Sequence, residues 1–318
     1  MLDMNNLDVF LRVAETLNFS EAARLLHVTQ PTVSKHIRDL ERTLGVQLFD
    51  RSGSKPTLTN AGLTLLPRAR KLIRQSIETQ EMMAAMQSGV VGNLRIACST
   101  TAGKYVLPQL AARYRQRYPG IQVSILSCTS EDVTLRLLQG DAHIGVVSRE
   151  IFNPGLESQI FFEDHITLTV PANHTWSFRK FIEPEELLEE PMLIREPNSG
   201  TRRVLLEELI KHDITLEDLN VFLELGNAEA IVRMVAEGYG ISFVSTLALA
   251  CPLERGNVVG IPVRGFDLKR NIYMTRKTLD SPHRPQETFW SFVHDPANAD
   301  LLLMPGNSLE RMNGDLEE

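Results

Sequence analysis

Two short stretches of this 318-residue chain gather hydroxyls immediately ahead of helical patterns. In "CSTTAG" (98–103) they are Ser99, Thr100 and Thr101. In "NSGTRR" (198–203) they are Ser199 and Thr201 around Gly200, with Arg202 as a counter-charge. A helix start offers free N–H groups and a positive dipole end, so hydroxyls and a guanidinium there suit a small anion. Ser and Thr are also the usual N-caps, and capping alone is the other reading. Thr129 and Ser130, Ser148, and Asn227 stand at comparable places, each after an apolar run or at a helix start. A third stretch, "VTQPTVSKHIRDLE" (28–41), places Thr29, Gln30, Pro31, Thr32, Ser34, Lys35 and Arg38 together, with Arg42 following. Side chains of these types can read base edges and hold phosphates.

Other chemistry finds little support. The three cysteines, Cys98, Cys128 and Cys251, are far apart and form no CxxC pair, and the eight histidines show neither HxxxH nor HExxH spacing. Neither a disulfide framework nor a metal site follows. Free cysteines are usually small buried hydrophobes, with a redox-sensing thiol as the alternative. There is no GxSxG, no Walker loop and no acid/base pair, so no catalytic residue is assigned. "GYGIS" (238–242) is a helix stop and turn, with Phe243 where a third glycine would stand.

The elements that must position these residues follow from periodicity. Leu7, Phe10, Leu11, Ala14 and Leu17 give a helix with one apolar face. Ser20 is the expected N-cap of a second helix, "EAARLLH", and Thr29 caps a third. Pro31 suits the first turn of that third helix, where its missing N–H has no acceptor to lose. At 100° per residue Val33, Ile37, Leu40 and Leu44 share a core stripe, and the cations lie opposite. This is a helix-turn-helix arrangement, or else a small bundle with a solvated charged face. "GVQLFDRSGSKPTLTNAG" (45–62) then reads as a hairpin wing with Arg51 and Lys55 facing phosphates. Residues 60–88 read as one long helix, kinked or irregular near Pro67. Its stripe of Leu65, Leu66, Ala69, Leu72 and Ile73 is suited to dimerisation.

From about residue 93 short apolar strands alternate with helices, twice over, which predicts two α/β lobes with parallel strands. Residues 162–174 and 268–277 are the expected crossover strands, and a helix near 284–294 returns to the first lobe. The organisation is therefore 1–59 for the winged helix-turn-helix, 60–88 for the linker and 89–295 for a two-lobed body. Lobe I takes about 89–166 and 269–295, lobe II about 167–268, and 296–318 is a loosely ordered tail. Residues 1–75 carry eleven Lys+Arg against seven Asp+Glu, a balance of +4 in a chain of formal net charge −7, so the remainder carries −11. A basic end on an acidic body confines polyanion binding to the N-terminal part. No transmembrane run or signal peptide is evident, so a cytoplasmic protein without membrane contact is expected.

The order of these motifs resembles the LysR-type transcriptional regulators, through "FLRVAETLNFSEAARLLHVTQPTVSKHIRDLERTLGVQLFDR" and "LTNAGLTLLPRARKLI" and on to about residue 295. The resemblance implies a winged helix-turn-helix on a linker helix, followed by two lobes of periplasmic-binding-protein type. It implies a homodimer or homotetramer on double-stranded DNA with an interrupted inverted repeat, acting as activator or repressor, with RNA polymerase as a further partner. It also implies a small-molecule effector in the cleft and no cofactor. "STTAGKYVLPQLAARYRQRYPGIQVSI" is similar to regulators of carbon fixation and of sulfur or cysteine metabolism, which suggests an anionic metabolite. An architectural DNA binder without effector, or an enzyme with a DNA-binding head, are the alternatives.

Overall fold

The structure is a computed structural model that describes residues 2–52, 55–88, 90–99, 102–278 and 283–301. The chain separates into two compact units, Met1–Gly89 and Val90–Glu318.

In the first unit α1 (Met4–Thr16), α2 (Phe19–Leu25) and α3 (Gln30–Leu44) precede a two-stranded wing and the long α4 (Asn60–Ser88). The wing strands are β1 (Phe49–Asp50) and β2 (Thr57–Leu58), paired antiparallel. Thr29 caps α3, with Pro31 in its first turn as its ring geometry requires. Gly45 ends it at φ +71°, a left-handed position suited to a residue without Cβ. The second helix starts differently from expectation. Asn18, not Ser20, is its cap: Oδ1 accepts from the N–H groups of Ser20 (2.9 Å) and Glu21 (3.1 Å), which places Ser20 inside the helix. Leu7, Phe10, Val33, Ile37 and Leu40 form the core with Phe49 from the wing, whose ring lies 5.6 Å from that of Phe10.

The long helix runs unbroken through Pro67. The expected dimerisation stripe has another use within the chain. Ala69 is fully buried in the core of its own unit, and Leu65, Leu66, Leu72 and Ile73 pack against that core half-buried. The apolar side chains that α4 leaves exposed include Leu63, Ile77 and Met83.

In the second unit the elements run β3 (Gly92–Cys98), α5 (Ala102–Tyr105), α6 (Leu107–Arg117), β4 (Ile121–Ser127), α7 (Ser130–Gln139), β5 (Ile144–Val147) and β6 (Leu156–Pro171). They continue as β7 (Met192–Arg195), α8 (Gly200–Ile210), β8 (Val221–Leu225), α9 (Ala228–Ala236), β9 (Ser242–Ser245), α10 (Thr246–Glu254), β10 (Val258–Ile261), β11 (Lys269–Lys277) and α11 (Arg284–Val293). Strands β3, β4 and β5 are parallel, as the βαβ series requires. In the other lobe β7 and β8 pair in parallel.

The sixteen-residue β6 joins the lobes. Up to His165 it pairs antiparallel with β11, and from Ile166 onward β9 and β10 flank it. It begins at Leu156, six residues before the expected start. "LESQI" carries too few apolar side chains to read as a strand, and its backbone bonding to β11 holds it there. Helix α10 and strand β10 were not anticipated; α10 holds Pro252, which reads as a breaker. Pro296–Leu301 forms a 3₁₀ turn, with Asn298 Nδ2 donating to the Phe292 carbonyl at 2.8 Å, so the expected loose tail is ordered at its start. Its remainder, 302–318, lies outside the described residues.

Helix α11 seals lobe I. Phe289 is fully buried and meets the Tyr114 ring edge-on at 5.0 Å. Phe289→Ala should therefore cost roughly 3–5 kcal/mol, read by urea unfolding with the fluorescence of neighbouring Trp290. Phe178→Ala, at a side chain 93% exposed, should stay within about 0.5 kcal/mol. His283 caps α11 by accepting the Gln286 N–H at Nδ1 (3.3 Å), which requires a neutral ring. Burial first, and then the Arg95 charge, pull its pKa down to about 4. The unfolded chain thus takes up this proton first as pH falls, and stability is lost between about pH 6.5 and 4. His283→Asn, which keeps a capping side chain, should flatten that decline by up to about 3 kcal/mol.

Candidate functional site

On α3 the residues expected to face nucleic acid are on the outside. Thr29, Gln30, Pro31, Lys35, Arg38 and Arg42 are exposed, Thr32 and Ser34 half-buried, while Val33, Ile37 and Leu40 are buried beneath. Several are held in place by short local bonds. Gln30 donates to Ser34 Oγ (2.9 Å), Arg38 Nε to the Ser34 carbonyl (3.2 Å), and Arg42 pairs with Asp39 (3.1 Å). Lys55 is exposed on the wing. Arg51 lies 3.5 Å from Glu41 and stacks 4.7 Å over the Phe19 ring. Glu41 also accepts the backbone N–H groups of Leu48 (2.9 Å) and Phe49 (3.4 Å), so one carboxylate ties the wing to α3. Nothing in the sequence marked Glu41, because its partners lie across the turn that follows the helix.

The second unit contains a cleft of about 630 Å³ between its lobes. Ser99, Thr129, Ser130, Ser148, Ser199, Gly200, Thr201 and Asn227 all line it. Thr100 and Thr101 lie outside the described residues. Three helices present their N-termini to this space: Thr129 caps α7, Ser199 caps α8 and Asn227 caps α9, each accepting N–H groups of its own helix. Capping and cleft-lining thus coincide. The summed dipole ends make the cleft favourable for an anion, each equivalent to roughly half a positive charge. Across the lobe I side Ser130 donates to Ser99 Oγ at 2.9 Å.

Arg202 does not line this cleft. It donates to Glu224 (2.6 Å) and to the Arg195 carbonyl (2.9 Å), so its charge is already matched. The cations that line the cleft are Lys104, Arg195 and Arg270. Arg195 forks onto Glu196 at 2.7 and 2.8 Å; burial opposes ionisation of Glu196, but the guanidinium holds its carboxyl below the usual range. Lys104 faces Glu229 at 3.5 Å, and the Tyr105 hydroxyl donates to the same carboxylate at 3.1 Å, linking the lobes.

Arg270 is the deepest of the three. Its side chain is 5% exposed, and its Nε (2.9 Å) and Nη2 (2.8 Å) both reach Asp164, itself 1% exposed. Asp164 and Arg270 are register partners on β6 and β11, and Ser245 of β9 donates to the other carboxylate oxygen at 2.6 Å. Sequence reading missed Arg270 because it is one cation among several in "LKRNIYMTRK". Its burial depends on a pairing with Asp164, 106 positions away.

Comparison with known proteins agrees with this architecture. A family model described as "Bacterial regulatory helix-turn-helix protein, lysR family" matches residues 4–63, and the "LysR substrate binding domain" matches 87–297. The chain belongs to the LysR family. Within that family it is 31% identical over 296 residues to the "HTH-type transcriptional activator CmpR" of a Synechocystis strain, covering 92% of this chain and 96% of the relative. The crystal structure of CbnR, a LysR family transcriptional regulator, shares the fold with a TM-score of 0.69 at 23% identity, over 92% of this chain and 98% of that one. The regulatory domain of Synechocystis CcmR in complex with 2-PG is 29% identical, with a TM-score of 0.57, over 64% of this chain and 95% of that domain. This chain is accordingly a LysR-type transcriptional regulator. No helix among the described residues is long and apolar enough to cross a membrane.

Two of the three cysteines are placed in lobe I: Cys98 is buried and Cys128 half-buried beside the cleft. Burial pushes the Cys98 thiol up to about 11, and burial likewise raises that of Cys128. A thiol needs its thiolate form to react. Cys98 should therefore resist iodoacetamide at pH 7.5 in the native chain and label readily in urea, as peptide mass spectrometry would show. Rapid native labelling at Cys98 would contradict this placement.

Proposed function

We propose that this LysR-family regulator binds double-stranded DNA through α3 and the wing, as a homodimer or homotetramer on an interrupted inverted repeat. A small anionic effector in the two-lobed cleft then modulates that binding. The observation that carries the effector reading is the convergence of three capped helix N-termini and a buried guanidinium on one space. Small acids fit such a space through charge-assisted hydrogen bonds. Similarity to the CcmR regulatory domain, described in complex with 2-PG, supports a small-molecule effector. An architectural DNA binder would have no use for this cleft. The family consists of regulators, which supports a sensing and not a catalytic role.

For the DNA half of the proposal, a duplex selected from a random pool by the wild-type chain serves as operator. Arg38→Ala should weaken its binding by roughly 1–3 kcal/mol at physiological salt if the guanidinium reads a base. Unchanged affinity would remove Arg38 from the reading face. For the sensing half, a saturable thermal stabilisation by small carboxylates or phosphate esters, accompanied by an altered footprint on that duplex, is the expected result. A panel that stabilises nothing and shifts no footprint would remove the effector.

A further inference from the structure

The two cations of the wing, Arg51 and Lys55, are both exposed, but only Arg51 is anchored to the rest of the head. It follows β1 directly and lies against two other elements. Its guanidinium carbon stands 4.7 Å over the ring of Phe19, at the start of α2, and its Nη2 lies 3.5 Å from Glu41 of α3. The Phe19 ring meets Phe49 of β1 edge-on at 5.6 Å. Glu41 is only 14% exposed and is fixed from its other oxygen, since Oε1 accepts the N–H groups of Leu48 and Phe49. Phe19, Glu41, Phe49 and Arg51 thus close one corner at the base of the wing.

The wing needs such a corner. Strands of two residues each cannot hold a hairpin in place alone, and the reach of Lys55, in the turn between them, depends on the angle at which the wing leaves the head. A phosphate that took the Arg51 guanidinium would draw it off the Phe19 face. It would also leave the Glu41 carboxylate, largely out of water, with backbone donors alone. Resting on the DNA-binding reading above, we infer that Arg51 is a positioning residue. Held between Phe19 and Glu41, it sets the wing against α2 and α3, and Lys55 makes the wing's phosphate contact.

The test is binding of the full chain to the duplex selected by the wild type, read by fluorescence anisotropy across a salt series. Each phosphate contact adds about 0.9 to the slope of log affinity against log salt. Lys55→Gln should lower the slope by about that amount per protomer. Arg51→Gln should weaken binding about tenfold by letting the wing move and losing the same contact. The double variant should then match Lys55→Gln in slope. Glu41→Gln, which keeps an oxygen for Leu48 and Phe49 but leaves Arg51 without a counter-charge, should also weaken binding. A hydroxyl-radical footprint of Arg51→Gln should lose protection under the wing and keep it under α3, which a general loss of stability would not produce. Arg51→Lys, with a cation still over Phe19, should restore it. Circular dichroism establishes that each variant is folded, and Glu41→Gln carries the same readouts if Arg51→Gln is not. A double variant whose slope falls by roughly twice the single amount, or tighter binding by Glu41→Gln, would make Arg51 a phosphate ligand. Either result would overturn the proposal and leave DNA binding intact. Failure of the wild type to select any duplex would remove the DNA-binding reading, and the proposal with it.

Discussion

The Asp164–Arg270 ion pair is the interaction on which the sensing unit depends. Two charges taken almost wholly out of water cost several kcal/mol each unless their geometry is good, and here two guanidinium nitrogens and a serine hydroxyl satisfy the carboxylate. A pair of this kind adds little stability compared with well-packed apolar side chains. Its value lies in position. It spans β6 and β11, where two antiparallel strands pass from one lobe to the other, and it leaves one donor facing the cleft. Each lobe packs its own core, around Leu94, Ile96 and Met274 in one and Leu168, Met192 and Ile241 in the other. The lobes meet at the crossing strands, at the cleft wall and where Leu247 of α10 joins the lobe I core.

The DNA-binding unit relies on packing. Ten buried apolar side chains from three short helices would leave a marginal core, and α4 enlarges it by laying Ala69 and its neighbours against α1. The linker helix is thereby part of the head's own fold. Glu41 extends the same logic to the wing, which has only two residues per strand and could not hold itself in place. The outer face of α3 is left for charge and hydroxyl groups.

Local patterns made much of this legible. Period-3.6 stripes placed α1, α3 and α4, the Thr29–Pro31 start fixed the third helix, and alternating apolar runs located β3, β4, β5 and β11. Hydroxyls next to helix starts marked the lining of the cleft, because capping and cleft-lining draw on the same residues in this fold. What escaped was long-range. Arg270 and Asp164 read as ordinary strand charges until register pairs them, and Arg202, the apparent counter-charge, is matched by Glu224 on β8. Likewise Asn18 outcompeted Ser20 for the cap, since its amide oxygen reaches two N–H groups. The stripe on α4 had the right period, but period alone does not say which surface a helix packs on.

The most direct measurement of the central claim is calorimetric titration of inorganic phosphate into the full chain carrying Asp164→Asn. On the proposal of an anionic effector in the cleft that Arg270 lines, Asp164 and that anion would share one guanidinium. Removing the internal carboxylate should then strengthen phosphate binding, because a buried positive charge is left with the ligand as its main counter-ion. Binding that is unchanged or weaker in a folded Asp164→Asn chain would contradict the account, and would reduce the hinge pair to a structural tie with no part in sensing.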